Sequence, residues 1–138
     1  MNLALAQIEI EAESVDANIR RATEAIEDAA GDGADCVVLP EIFDVGYFAF
    51  DTYARYAEPI GGATHGRIRN AAIENNVAVL AGTVVEDLEA SAAAGEDVPD
   101  SEGLANTAVL FDTDGTRRLV YRKHHLFGYE SAEAELLT

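Results

Sequence analysis

The chain has 138 residues, 49% of them hydrophobic, enough for one domain around one core that buries roughly two-thirds of the surface its unfolded form exposes. Its net charge of −17 argues against nucleic acid and anionic membrane as partners, and no apolar run approaches the length of a membrane span. A single cysteine, Cys36, rules out an internal disulfide, and the histidines (His65, His124, His125) lack metal-ligand spacing, so neither metal nor cofactor is expected.

Asn2 to Ile8 alternates in hydrophobicity and reads as a strand that begins at once, with no basic leader or cleavage site. A cytoplasmic protein is therefore expected. Ser14 or Asp16 can cap a helix in which Val15, Ile19, Ala22, Ile26 and Ala29 recur at helical spacing, ended by Gly31 and Gly33. Cys36-Val37-Val38-Leu39 is a continuous apolar run, as in a strand covered on both faces, and Pro40 stops it. Within that run Cys36 reads as core packing.

Residues 42 to 63 read as a loop with a short helical piece, rich in aromatics (Phe43, Tyr47, Phe48, Phe50, Tyr53, Tyr56) that could be core or pocket lining. Thr64 is the expected cap of a second helix reaching about Asn75 or Asn76. Val77 to Val85 reads as a third strand, residues 86 to 103 as an acidic surface excursion, and Ala105 to Phe111 as a fourth strand. Asp114-Gly115 turns the chain into a fifth strand, Leu119 to Tyr121. No terminal helix is expected. The order β-α-β-α-β-β-β makes an α/β domain spanning 1–138 with no internal boundary.

Two residues stand where chemistry is usually found. Glu41 directly follows the buried strand, at the end where open α/β sheets bind ligands; by spacing alone a solvated loop acid is the more common case. A carboxylate beside so much apolar surface needs a nearby cation to stay ionised. Lys123 follows the fifth strand. The other eight basic residues are all arginine, so the one ammonium draws notice. A compact point charge suits a single developing oxyanion better than a planar fork does. Gly61-Gly62-Ala63-Thr64 is glycine-rich but precedes no Gly-Lys-Ser/Thr, so it is a turn before a helix and not a phosphate loop.

Leu39-Pro40-Glu41 after Gly33-Ala34-Asp35 and a strand resembles the first conserved block of the nitrilase superfamily of carbon–nitrogen hydrolases. Tyr121-Arg122-Lys123 with His125-Leu126-Phe127 resembles the second. Ala6-Gln7, Asn18, Pro59 to Thr64, Ala81-Gly82-Thr83 and Asn106-Thr107-Ala108 match in kind and order, so the resemblance covers essentially the whole chain.

The resemblance implies an α-β-β-α sandwich, of which this chain would supply an incomplete, N-terminal part. It also implies a Glu–Lys–Cys triad acting on a small amide or nitrile substrate. Glu41 would be the general base and Lys123 the oxyanion partner. A second glutamate, Glu133 or else Glu130, would support the lysine, although a charged surface face is as good a reading of Glu130 to Glu135. The nucleophilic cysteine falls after the lysine block and after this chain's last residue, so the chain alone is expected to be inactive. A homo-oligomer is implied by analogy only. Acidic surface with almost no lysine further resembles proteins of salt-loving archaea. The rival readings are a non-catalytic α/β subunit used for association and a small doubly wound ligand-binding module.

Overall fold

The structure, a computed structural model, describes residues 1–128 and 131–138. Five strands make one sheet: β1 (Leu3–Leu5), β2 (Cys36–Val38), β3 (Ala78–Asp87), β4 (Leu104–Phe111) and β5 (Arg117–Arg122). They lie side by side in chain order, with β1, β2 and β3 parallel and β3, β4 and β5 antiparallel. The helices are α1 (Val15–Gly31), α2 (Tyr53–Tyr56, entered from a 3-10 turn at Phe50–Thr52), α3 (Ala63–Asn75), α4 (Leu88–Ala93) and α5 (Ala132–Leu136). The expected α/β class is present, and the expected strand order holds with two helices added to it, α4 and α5.

The apolar spacing of α1 buries Ile19, Ala22 and Ile26 against the sheet, and α3 adds Ile68, Ala71 and Ala72. They meet Val37, Val79, Ala81, Val109 and Phe111, one side-chain row per strand. Strand alternation sends the next row to the other face. There Leu5, Val38, Leu80, Leu110 and Leu119 are in register across all five strands, and none is fully buried. Leu5 is 75% exposed. The sheet is thus covered by helices on one face; the other is bare across this row and covered only near the end of β3, where Val85 is buried with Ile42, Val45, Tyr53 and Leu137. Cys36 shares the bare face and is only half-buried, so the expectation of core packing is corrected. The run Cys36 to Leu39 looks continuous because β2 is central, although only Val37 and Leu39 reach the helix-covered core.

Four local expectations also change. β1 is shorter than the alternation suggested, because only Leu3 to Leu5 have a partner strand alongside. Gly62, not Thr64, caps α3; the Thr64 amide and hydroxyl both donate to Glu58 instead. The excursion after Val85 is partly regular: β3 runs on to Asp87, whose carboxylate accepts from the Ala90 amide and starts α4. A terminal helix, α5, is present. Ser131 caps it, and its end is held by the Thr138 amide donating to the Leu104 carbonyl and by Leu137 packing beside Ile42, Val45, Tyr53 and Val85.

Candidate active site

Glu41 opens the turn after β2, and the turn is clamped from β3. The Thr83 amide donates to the Pro40 carbonyl, the Phe43 amide to the Thr83 carbonyl, and the Ile42 amide to the Thr83 hydroxyl. Gly82 makes this approach possible, because a Cβ there would overlap the Leu39 carbonyl. The ladder between β3 and β4 shifts register at the same place, between Ala81 and Val84. Ile42 is left at φ 47°, a left-handed conformation that a β-branched residue adopts only when its surroundings dictate it. The backbone beside Glu41 is therefore held, not free.

Lys123 leaves the end of β5, its amide donating to the Asn106 carbonyl of β4 at 2.9 Å. Its Nζ lies 2.9 Å from Glu41 Oε1 and 2.9 Å from Glu133 Oε1. Two residues 82 positions apart thus meet at one sheet edge, and Glu133 joins them from the first turn of α5. Glu130, the alternative support for the lysine, lies outside the described residues. The Glu133 side chain is 1% exposed, that of Lys123 24% and that of Glu41 44%, so the site is closed behind the lysine and open at Glu41.

Burial presses against the charge on Glu133, but hydrogen bonds from Lys123, the Phe127 amide and Asn106 outweigh it and hold the carboxyl below its ordinary value. Partial burial likewise disfavours the Lys123 ammonium, and the bonds to Glu41 and Glu133 outweigh it, so the amine titrates above its ordinary value. Tyr47 donates its hydroxyl to Glu133 Oε2 at 3.1 Å, and its ring centroid lies 5.9 Å from Nζ. Burial and then Glu133 push this phenol up. Among the aromatics of the 42–63 loop, Phe43 and Tyr53 are core, Tyr47 lines the site, and Phe48 is exposed.

Cys36 begins β2 whereas Glu41 follows its other end, and burial raises the thiol's pKa. Among the described residues no group of three or more His, Cys, Asp or Glu side chains gathers to hold a metal. An open cleft of about 510 Å³ reaches Lys123, lined also by Asp97, Val98, Pro99, Tyr121 and His124.

Two site contacts lay beyond the sequence reading: the side chain of Asn106 and the hydroxyl of Tyr47. Asn106 had a usable signal. A hairpin turning at Asp114-Gly115 pairs Val109 with Val120 and Thr107 with Arg122, and one step outward it sets Asn106 opposite Lys123. Tyr47 had none, since its place depends on an irregular loop.

A family model for carbon–nitrogen hydrolases matches residues 2–137. Omega-amidase NIT2 of Homo sapiens is 35% identical over 125 residues, which is 91% of this chain and 40% of the human protein. The Xenopus tropicalis omega-amidase NIT2 is 34% identical over 110 residues, 80% of this chain and 35% of that protein. Among solved structures, Saccharomyces cerevisiae Nit3, a member of branch 10 of the nitrilase superfamily, superposes with TM-score 0.78 at 28% identity over 99% of this chain and 47% of its own. An amidase from Nesterenkonia sp. shares the fold at TM-score 0.78 and 24% identity, over 100% of this chain and 47% of its own. The chain spans about two-fifths of the length of these curated relatives and about half of these solved ones. On the match over residues 2–137 and the 35% identity to the human protein, the chain belongs to the carbon–nitrogen hydrolase family.

Proposed function

We propose that this chain carries the base and the oxyanion-stabilising cation of an amide hydrolase, and that polypeptide beyond Thr138 supplies the nucleophilic cysteine and a second sheet for the bare face. The observation that carries this reading is the pair of 2.9 Å contacts from Lys123 Nζ to Glu41 and Glu133. Glu41 accepts the cysteine's proton, and the thiolate attacks the amide carbon. An ammonium has three donors; one goes to Glu41 Oε1 and one to Glu133, where Oε1 at 2.9 Å and Oε2 at 3.3 Å can share a single N–H, so the third can turn to the oxyanion of the tetrahedral intermediate. Glu41 then gives the cysteine's proton to the amide nitrogen, which leaves as ammonia; the restored carboxylate takes a proton from the water that hydrolyses the acyl-enzyme and returns it to the departing thiolate. Similarity to an omega-amidase favours amides over nitriles. A halophilic source and cytoplasmic residence belong to the same reading, supported by the acidic, lysine-poor composition and the lone unpaired cysteine.

The test starts from the coding frame past Thr138. If the frame continues through a strand into a cysteine, the continuous protein should release ammonia from small primary amides, and Glu41→Gln should lower kcat by roughly 10⁴-fold. The 138-residue chain alone should release none. Turnover by that chain surviving Cys36→Ala would overturn the dependence on an external cysteine, and turnover abolished by Cys36→Ala would reassign the nucleophile. A stop codon directly after Thr138 would favour the non-catalytic association subunit.

A further inference from the structure

Asn106 stands on β4, 1% exposed, and its side-chain Nδ2 lies 2.8 Å from Glu41 Oε1 and 3.2 Å from Glu133 Oε1. These are the same two oxygens that Lys123 Nζ engages at 2.9 Å each. The four atoms close a ring: two carboxylate oxygens at opposite corners, the ammonium at the third and the amide nitrogen at the fourth. Two like charges converge on one cation here, and each must be held against the other's repulsion. Asn106 brings two N–H donors on one short side chain without adding charge.

We propose that Asn106 is a positioning residue that locks Glu41 through Oε1 and so presents Oε2 as the atom that takes the nucleophile's proton. This rests on the reading of Glu41 as the base. Among the described residues Oε1 takes both Nζ and Nδ2, while Oε2 accepts no hydrogen bond. With only the flexible lysine stem on it, a side chain as open as Glu41 would rotate. The second donor comes from a buried residue in the sheet, and it fixes the carboxylate plane. The Asn106 backbone is tied to the same lysine, since its carbonyl accepts the Lys123 amide, so base and cation share one rigid support.

The other end of the amide agrees. Asn106 Oδ1 is buried and has no hydrogen-bond partner. Turning the amide over would satisfy nothing, because it would set Oδ1 against two carboxylate oxygens. An unmet buried acceptor is ordinarily selected against, so its presence fits an amide oriented for its donors. Asp in this place would add a third negative charge and no donor; Ser or Thr would offer one donor for two oxygens.

Lys123 is the chain's sole lysine, so one labelled ¹³Cε and ¹⁵Nζ signal reports the site without assignment. In the 138-residue chain, Asn106→Leu, close in shape and without donors, should let Glu41 turn away into solvent. The titration midpoint of Lys123 should then fall toward that of an ordinary lysine. Glu41→Gln should lower it too, and adding Asn106→Leu to Glu41→Gln should give a much smaller further shift, because Asn106 acts mainly through Glu41 and its 3.2 Å bond to Glu133 is the longer of the two. A midpoint unchanged in folded Asn106→Leu, or the same fall in both backgrounds, overturns the proposal. Should Asn106→Leu fail to fold, Asn106→Ser carries the same cycle with a smaller fall, and Asn106→Gln, which keeps the amide, should restore part of it. In a catalytically complete protein Asn106→Leu should lower kcat by about 100-fold with KM nearly unchanged. If the coupling is found and that protein hydrolyses no amide, the hydrolase reading fails while the locking of Glu41 stands.

Discussion

Arg122 and Lys123 are chain neighbours that point to opposite sides of the sheet, and each ends in an ion-pair centre of a different kind. Arg122 meets Glu86 with two parallel bonds of 2.8 and 2.9 Å, and the Thr107 hydroxyl gives the same carboxylate a third at 2.7 Å. The Glu86 side chain is fully buried. Burial pushes against its ionisation, but Arg122, Thr107 and Ser91 outweigh that and hold its carboxyl below the usual range. Nothing in this centre is left to react. At Lys123 the cation is a point charge shared between two acids, one closed in and one open to solvent. A saturated pair fixes structure; a pair with one open corner can bind or exchange protons. The cation types follow the same division, a fork where both carboxylate oxygens must be held and an ammonium where a third direction must stay available.

The largest effects should separate these roles. In a catalytically complete protein, Lys123→Met should remove turnover by roughly 10⁴-fold or more. Its cost in stability should be smaller than that of Arg122→Met, because Glu133 keeps the Phe127, Tyr47 and Asn106 donors and Glu41 is open to water. Arg122→Met strands a buried carboxylate and should cost about 3–5 kcal/mol, whereas Glu86→Met with Arg122→Met should recover most of that. Urea unfolding of the three variants checks both statements. A Lys123→Met protein less stable than Arg122→Met would erase the distinction.

The fold was more legible than this division. The period of Val15, Ile19, Ala22 and Ile26 places α1, and the turn at Asp114-Gly115 sets the register of β4 and β5, because both signals are local. Glu41 and Lys123 were found by their place in a recognised order of motifs, and no local pattern announces that they touch. What escaped depends on distant partners. The Ala81-Gly82-Thr83 block matters through the Leu39 and Pro40 carbonyls that press on it, and helix α5, five residues without an apolar period, depends on where Leu137 and Glu133 are received. Arg122 and Glu86 look like any charges on a polar stretch until the ladder sets them on one face.

A third acid sharpens the comparison by lacking a cation. Asp44 is buried in the turn that carries Glu41, its Oδ1 has no hydrogen-bond partner, and no basic side chain pairs with it among the described residues. Desolvation pushes its carboxyl up to about 7, against opposing backbone hydrogen bonds. The folded form therefore holds a proton that the unfolded form has released. Stability should fall as pH rises from the unfolded value of 3.8 toward about 7, and the cost should persist above it. Asp44→Asn should stabilise the chain by roughly 2–4 kcal/mol near pH 8 and by little near pH 4, read from paired thermal melts. Equal changes at both pH values would mean that folding does not shift the Asp44 carboxyl, and a loss at pH 8 would mean that it is ionised and paired in the fold.

The Lys123 centre should show the reverse dependence at the acid end of the scale and a loss with rising pH at the basic end. Glu133 titrates below its ordinary 4.5 when folded, so its contribution is full above that value and lost as pH falls through the folded one. Lys123 titrates above its ordinary 10.5, so its contribution is full below that value and lost as pH climbs through the folded one. Glu133→Gln should flatten the acid limb of a stability–pH profile and leave the Asp44 region unchanged. An acid limb unaltered by Glu133→Gln would remove Glu133 as the lysine's main support.

The smallest expected effect per group, though summed over the whole surface, concerns salt. A surplus of 17 negative charges repels itself over about 10 Å in 0.1 M salt and over only about 3 Å at 1 M. If the acidic, arginine-biased surface is a halophilic adaptation, melting temperature should climb by about 5 °C or more from dilute to molar KCl and level off as the screening length shrinks. KCl is the informative salt, because sulfate would also strengthen burial of the bare sheet face and mimic the result. Exposed pairs such as Arg20 with Glu24 should weaken along the way, a minor loss against the relief of repulsion. The saturated pair gives the control. Glu86 is out of solvent, so salt should scarcely touch it, and the double replacement of Glu86 and Arg122 by Met should climb with KCl as the parent does. A parent whose melting temperature stays level counts against the halophilic source. A double variant that climbs less than the parent would place part of the salt response inside the fold and not on its surface.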